Sequence, residues 1–310
     1  MASDTNGMRI GLMHGATDGP AGGIDAIVEH AKRVESLGFA TLWMPNIFSW
    51  DAITALSIVG RETSRIELGT AVVPTYPRHP MAIAQQALSA SAISGGRFTL
   101  GIGLSHKIVI EDMFGLSYAR PARHMREYLE VLTPLLRGEP AKFEGELYRV
   151  QGSIQVPGAT RVGLVVAALG EVMLALAGRL TDGTITWMTG PKTLETHIVP
   201  SLRSAAEKAG RPAPRVVAGL PIALTNDAAK AREKMGEMFA IYGQLPSYRA
   251  MLDREGAADP SAVALAGGEA ELRAQIGRLR DIGVTDFDAA IAPVEEGSAE
   301  RTLEFLASLL

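Results

Sequence analysis

The sequence predicts an α/β fold, a (β/α)8 TIM barrel with insertions after strands four and seven, formed by residues 1–310 as a single domain. Three observations carry this. Short apolar runs of strand length alternate with longer segments whose apolar residues recur at helical spacing. Eight such runs occur, and the last is followed by a closing helix at the end of the sequence. Residues 66–106 hold two apolar runs joined by one helical segment, a unit that requires parallel pairing.

In order, Met8 to Met13 is the first strand and ends at His14-Gly15. A Gly/Pro/Asp-rich loop follows, then a helix from Ile24 to Leu37 stopped by Gly38, since glycine adopts the left-handed conformation that ends helices. Thr41 to Met44 is strand two, broken by Pro45, and Asp51 to Arg61 is helical. Strand three runs from Ile66 to Val73. Helix three opens at His79-Pro80, where proline suits a first turn, and stops at Gly95-Gly96. Arg97 to Gly103 is strand four.

The spacing then loosens. Ile108 to Leu116 reads as a loop or short helix, Ala119 to Leu136 as a long amphipathic helix, and residues 141–158 as a small hairpin. Strand five is Val162 to Ala167, with Gly170 opening the next helix. Strand six is Gly183 to Trp187, followed by a helix from Pro191 to Ala209. Val216 to Leu224 is strand seven. A helix from Asp227 extends through Met251, and after a loop at Gly256 to Pro260 helical spacing resumes at Ala270. Asp286 to Ile291 is strand eight, and Ala299 to Leu310 the closing helix. No internal repeat or linker divides the chain.

Composition narrows the function. A net charge of −4 gives no basic footprint for nucleic acid and no polybasic membrane patch. Zero cysteines exclude disulfides, thiol catalysis and thiolate-bound metal. Neither a signal pattern nor an apolar run of the roughly 20 residues that span a bilayer is found, so the expected location is the cytoplasm.

Barrel sites lie at the carboxyl ends of the strands. From strand one to eight these ends carry His14, Pro45-Asn46, Ala71-Val72, Ser105-His106, Ala168-Leu169-Gly170, Trp187-Met188-Thr189, Pro221 and Ala292-Pro293, with neither lysine nor carboxylate. Schiff-base chemistry and metal-dependent barrel chemistries need those groups, so no metal site is expected. A mouth this poor in reactive side chains suits a bound cofactor that carries the chemistry. Imidazole titrates near neutrality, making His106 a candidate acid or base as well as a solvated bystander. Asn46 is a turn residue or an amide for a polar ring edge; His14 and His79 have weaker functional readings, His79 as a helix start. Gly101 and Gly103 lack the third glycine of a dinucleotide fingerprint and suit close packing under the mouth. Strands five and six each run through glycine into a helix, at Ala168-Leu169-Gly170-Glu171 and Thr189-Gly190. Each is an anion site or an ordinary helix start.

The chain resembles the luciferase-like monooxygenase superfamily, and within it the coenzyme F420-dependent oxidoreductases. The resemblance rests on LGTAVVPTYPRHP, GRFTLGIGLSH, RPARHMREYLEVLTPLLRGEP with its hairpin, VAALGEVMLALAGRLTDGTITWMTGP, and AGGEAELRAQIGRLRDIGVTDF. It implies a deazaflavin across the mouth, a cis peptide between Ala71 and Val72 behind the ring, and phosphate contacts at Leu169-Gly170-Glu171 and Thr189-Gly190. Cofactor contacts are then expected at His14, Asn46, Ala71, Val72, Gly103, Ser105, His106, Ala168, Leu169, Gly170, Glu171, Thr189 and Gly190, with His106 and Asn46 catalytic. The sugar-phosphate dehydrogenase branch would place Asp-His after strand two and glutamate after strand four; here Asn46-Ile47 and His106 stand there. An apolar pocket with Trp43, Ile47, Phe48, Trp50 and Trp187 nearby suits a small, largely apolar organic substrate. The resemblance also implies a homodimer. Two other functions remain open at this point, an FMN-dependent monooxygenase and a catalytically silent deazaflavin-binding protein.

Overall fold

The computed structural model describes residues 7–15 and 22–310, so most of the loop expected after His14-Gly15 lies outside the described residues. The barrel strands are β1 (Arg9–Met13), β2 (Thr41–Met44), β3 (Glu67–Thr70), β4 (Phe98–Gly103), β5 (Gly163–Ala167), β6 (Gly183–Trp187), β7 (Arg215–Leu224) and β8 (Asp286–Ile291). Each pairs in parallel with the next. Asp286 opposite Arg9 and Ala289 opposite Leu12 join β8 to β1 and close the sheet. A closed parallel sheet leaves no free edge, and its outer face must be covered by helices.

That cover is α1 (Ile24–Ser36), α2 (Ala52–Glu62), α3 (Pro80–Ser94), α4 (Pro121–Leu136), α5 (Glu171–Leu180), α6 (Val199–Lys208), α9 (Glu269–Asp281) and α10 (Ser298–Ala307), with α7 (Ala228–Met238) and α8 (Pro246–Glu255) in the excursion after β7. Local chemistry sets their ends. The Asp51 carboxylate caps α2 by accepting from Thr54 N, and Pro80 occupies the first turn of α3 while His79 Nδ1 accepts from Met81 N at 3.2 Å. His79 is thus a helix start. The small-residue faces of α2 and α3 meet each other: a Cβ on Gly60 would lie 2.8 Å from the Ser94 Cβ. No helix among the described residues is long and apolar enough to cross a membrane.

Both insertions form, but the second differs from expectation. After β4 come a π-helical turn (Val109–Met113), α4 and an antiparallel hairpin pairing Ala141–Glu144 with Arg149–Gly152. After β7 the helix expected to continue to Met251 stops at Met238. A 3-10 turn (Ala240–Gly243) follows, and Pro246, which lacks the amide a continuing helix requires, opens α8 as a separate element. A short strand, Leu265–Gly267, extends the sheet alongside Ile222 to Leu224. Strand seven therefore runs past Pro221, which lies inside it opposite Ala290 rather than at its mouth.

The barrel interior is layered. At the amino-terminal end Arg9, Thr41, Glu67, Thr99, Arg215 and Asp286 form one polar network, with Arg215 bonded to Glu67 at 2.8 Å and Asp286 at 2.7 Å. Burial alone would raise the Glu67 carboxyl, but Arg215 and Arg9 outweigh it and hold the group below its ordinary range. Above this layer Trp43 is fully buried against Val165, Ile185 and Val217. Its indole fits because the neighbouring interior positions are glycines: a Cβ on Gly69 would sit 2.3 Å from the Trp43 ring and one on Gly11 3.3 Å from it. Trp43 is therefore a core residue just beneath the mouth, with Val72 packed on its cluster, and does not itself line the cleft.

Asp288 lies opposite Gly11 and Gly219, completely buried, and neither carboxyl oxygen has a hydrogen-bond partner. Burial, reinforced by Asp286, pushes its carboxyl well above the usual range. The unfolded chain releases this proton above about pH 4 while the folded protein retains it, so stability is lost as pH rises toward the folded pKa. Asp288→Asn should remove that slope. The melting temperature of the variant relative to wild type is expected to rise between about pH 5 and about pH 8, whereas an unchanged difference would show that Asp288 is ionised in the fold.

Candidate active site

The feature at the barrel mouth that departs most from a regular ladder is a bulge at the end of β3. Gly69 stands opposite Thr99 and Val73 opposite Ile102, so one extra residue is accommodated on the β3 side. The Ala71–Val72 peptide within it is cis, as the resemblance implies. The interrupted ladder is bridged by the Thr70 hydroxyl, which accepts from Gly101 N and donates to Gly101 O, both at 2.8 Å. Two glycines make room for the bulge. A Cβ on Gly103 would lie 2.7 Å from Val72 Cγ2, and one on Gly101 1.9 Å from Thr70 O. Their packing role is what the sequence suggested.

Beside this bulge opens a cleft of about 1240 Å³, which Asn46, Val72, Ser105 and His106 line together. Asn46 Oδ1 accepts from Ala52 N, the first amide of α2, at 3.0 Å. A backbone N–H can only donate, so this bond fixes the side chain with oxygen toward the helix and leaves Nδ2 as a donor at the cleft wall. Ser105 adopts φ 61°, and its carbonyl accepts from the Tyr118 hydroxyl at 3.2 Å, which turns the chain so that His106 follows along the wall. The His106 ring lies 5.7 Å from that of Tyr248 on α8. Desolvation lowers its pKa, so the imidazole is neutral at neutral pH.

The remaining predicted positions lie elsewhere. His14 packs its ring 5.0 Å from that of His30 on α1, between strand and helix, because the inward-facing position of β1 at this level belongs to Met13. Ala71 and Gly103 lie behind Val72 and form no part of the cleft wall. Ala168, Leu169, Gly170 and Glu171 stand outside this cleft. There His197 donates to Leu169 O at 2.8 Å, Gly170 provides no side-chain cap for α5, and Glu171 points outward within 4.0 Å of Arg254. The turn at Thr189-Gly190 is closed. Glu255 accepts from Lys192 N at 3.0 Å and from Thr193 N and Oγ1 at 2.7 Å, so a carboxylate of the protein already holds the amides expected to grip phosphate.

Sequence reasoning missed the cleft's charged and aromatic walls. The strand ends carry neither lysine nor carboxylate, but the segments that follow β2 and β4 bring Asp51, Lys107, Glu111 and Asp112 to the cleft, and Arg78 joins them from the loop before α3. Arg78 is paired with Asp51, and Lys107 lies 3.6 Å from Glu111. Tyr242 and Tyr248 come from the excursion after β7, their rings edge-on at 5.0 Å. The run Tyr242-Gly-Gln-Leu-Pro-Ser-Tyr248 holds the glycine and proline that would have marked this as loop. Trp187 backs Tyr242 at 6.0 Å rather than lining the cleft, and Trp50 also stands outside it. No metal-binding group of His, Asp and Glu occurs among the described residues.

Comparison with known proteins gives a consistent result. The profile of the luciferase-like monooxygenases matches residues 8–308. The 5,10-methylenetetrahydromethanopterin reductase of Methanolobus tindarius is 30% identical over 270 residues, 86% of this chain and 81% of that protein. Among solved structures, the coenzyme F420-dependent tetrahydromethanopterin reductase of Methanopyrus kandleri superposes with a TM-score of 0.80 at 24% identity, covering 97% of each chain. A monooxygenase of Streptomyces bottropensis superposes with a TM-score of 0.76 at 21% identity, covering 98% of each. At these identities the superpositions speak for the fold alone.

Proposed function

The chain belongs to the luciferase-like monooxygenase family, and from that premise we propose that it is a coenzyme F420-dependent oxidoreductase transferring a hydride between the deazaflavin and an uncharged, largely apolar organic substrate. The observation that carries the reading is the combination of the Val72 bulge with a cleft whose charged groups are mostly paired among themselves. Val72 offers an apolar support for a flat ring, Asn46 Nδ2 a fixed donor for a ring or substrate carbonyl, and the first turn of α5 amides without a capping side chain for an anionic group. Bound deazaflavin supplies hydride exchange at ring carbon five, chemistry that no side chain in the cleft can provide. His106 is kept neutral by burial and is suited to accept a proton from a substrate hydroxyl when the alcohol is oxidised. A Mycobacterium tuberculosis relative, 28% identical over 261 residues and named a putative coenzyme F420-dependent oxidoreductase, supports the cofactor assignment.

An FMN-dependent monooxygenase is the reading that the fold also accommodates, and a titration separates the two. Apoprotein is expected to bind F420 at least about tenfold more tightly than FMN by cofactor fluorescence; tight FMN binding without F420 binding would overturn the proposal. Gly103→Ala tests the shelf itself. The added Cβ must drive Val72 out of place, so F420 affinity should fall roughly tenfold while the far-ultraviolet circular dichroism stays that of wild type. Unchanged affinity would remove Val72 from the cofactor site.

A further inference from the structure

The outer edge of the cleft carries more apolar surface than a small substrate would cover. The cleft volume of about 1240 Å³ has to take the deazaflavin ring as well as a substrate, so the chemistry of the outer wall is what bears on the substrate. Single exposed apolar side chains are ordinary on a protein surface. Here Phe48 (65% exposed), Ile108 (61%) and Ile241 (56%) come from the separate segments that follow β2, β4 and β7 and all face the same cleft. Phe48 and Phe114 bridge two of them with ring centroids 6.4 Å apart and planes tilted 37°. Exposed apolar side chains gathered around one cleft in this way suit a ligand groove.

The walls are also unusually rich in rings. Two of the eight phenylalanines and three of the six tyrosines of the chain line this one cleft. Charge is mostly neutralised locally, by Asp51 on Arg78 and Glu111 beside Lys107, so no strong demand for a charged substrate remains. A ring pair with exposed faces binds flat groups by offset or edge-on stacking beyond the area it covers.

We infer that the substrate is not small but is a bulky aryl or polycyclic carbonyl compound, or the matching alcohol, whose oxygen meets Asn46 Nδ2 at the wall and whose ring system extends onto the Phe48–Phe114 pair. This rests on the hydride-transfer reading for its chemistry but concerns binding alone.

The test is calorimetric titration with butanone, acetophenone, 2-acetonaphthone and an alkyl ketone matched to the last in apolar area, using protein without cofactor and protein saturated with oxidised F420. Affinity is expected to rise at least about tenfold from butanone to 2-acetonaphthone, and the aryl ketone to bind roughly three- to tenfold more tightly than its alkyl match. A Phe48→Leu, Phe114→Leu double variant keeps the apolar cover, so it should lose the aryl advantage and retain binding of the alkyl ketone. Equal binding across the series, failure of every ketone to bind, or an aryl advantage that survives in the double variant would overturn the inference. The same trend in a protein that fails to bind F420 would keep the inference and remove the hydride-transfer reading instead.

Discussion

Trp43 inside the barrel is the constraint on which the rest depends. A parallel barrel must fill its interior at close-packed density, and here one indole does so in the second layer because Gly11 and Gly69 leave it the space. Below it the ionic network of Arg9, Glu67, Arg215 and Asp286 seals the amino-terminal end. The interior is consequently solid, and the place for a ligand is the mouth, between the bulge of β3 and the excursions that follow β4 and β7.

The bulge converts this floor into a shelf. An extra residue at the end of β3 would leave the Gly101 amide and carbonyl without ladder partners, and the Thr70 hydroxyl satisfies both. Glycine at 101 and 103 then allows Val72 to lie across β4. Thr70, Val72, Gly101 and Gly103 thus act as a unit, which explains why a chain this rich in glycine places two of them within one buried strand. Asn46 is fixed by a parallel device, since the first amide of α2 determines which end of its side chain faces the ligand.

Most of the barrel was legible in the sequence because period and turn chemistry agree there. Thr41–Met44, Glu171–Leu180, Gly183–Trp187 and Asp286–Ile291 fall where alternation and glycine signals put them. The segment after β7 was not, because Ala228–Met238 and Pro246–Glu255 have similar helical composition and only Gly243 and Pro246 mark the break. At the site, Asn46, Val72, Ser105 and His106 could be read from strand ends, and the structure brings these four to one cleft. His14 could not be distinguished from them by sequence, since alternation along a strand of five residues allows either face until the partner strands are known. Glu255 closing the turn at Gly190 joins residues 65 positions apart, a contact that no local pattern reveals.

On the proposed reading a cofactor seated at this mouth, and not a side chain, carries the reacting electrons. The most direct test is a single turnover of protein loaded with reduced F420 that carries deuterium at both positions of ring carbon five, with an aryl ketone as acceptor and mass analysis of the product. The expected product is an alcohol carrying one cofactor-derived deuterium on the former carbonyl carbon. Deuterium-free alcohol, or an oxygenated product in its place, would contradict it.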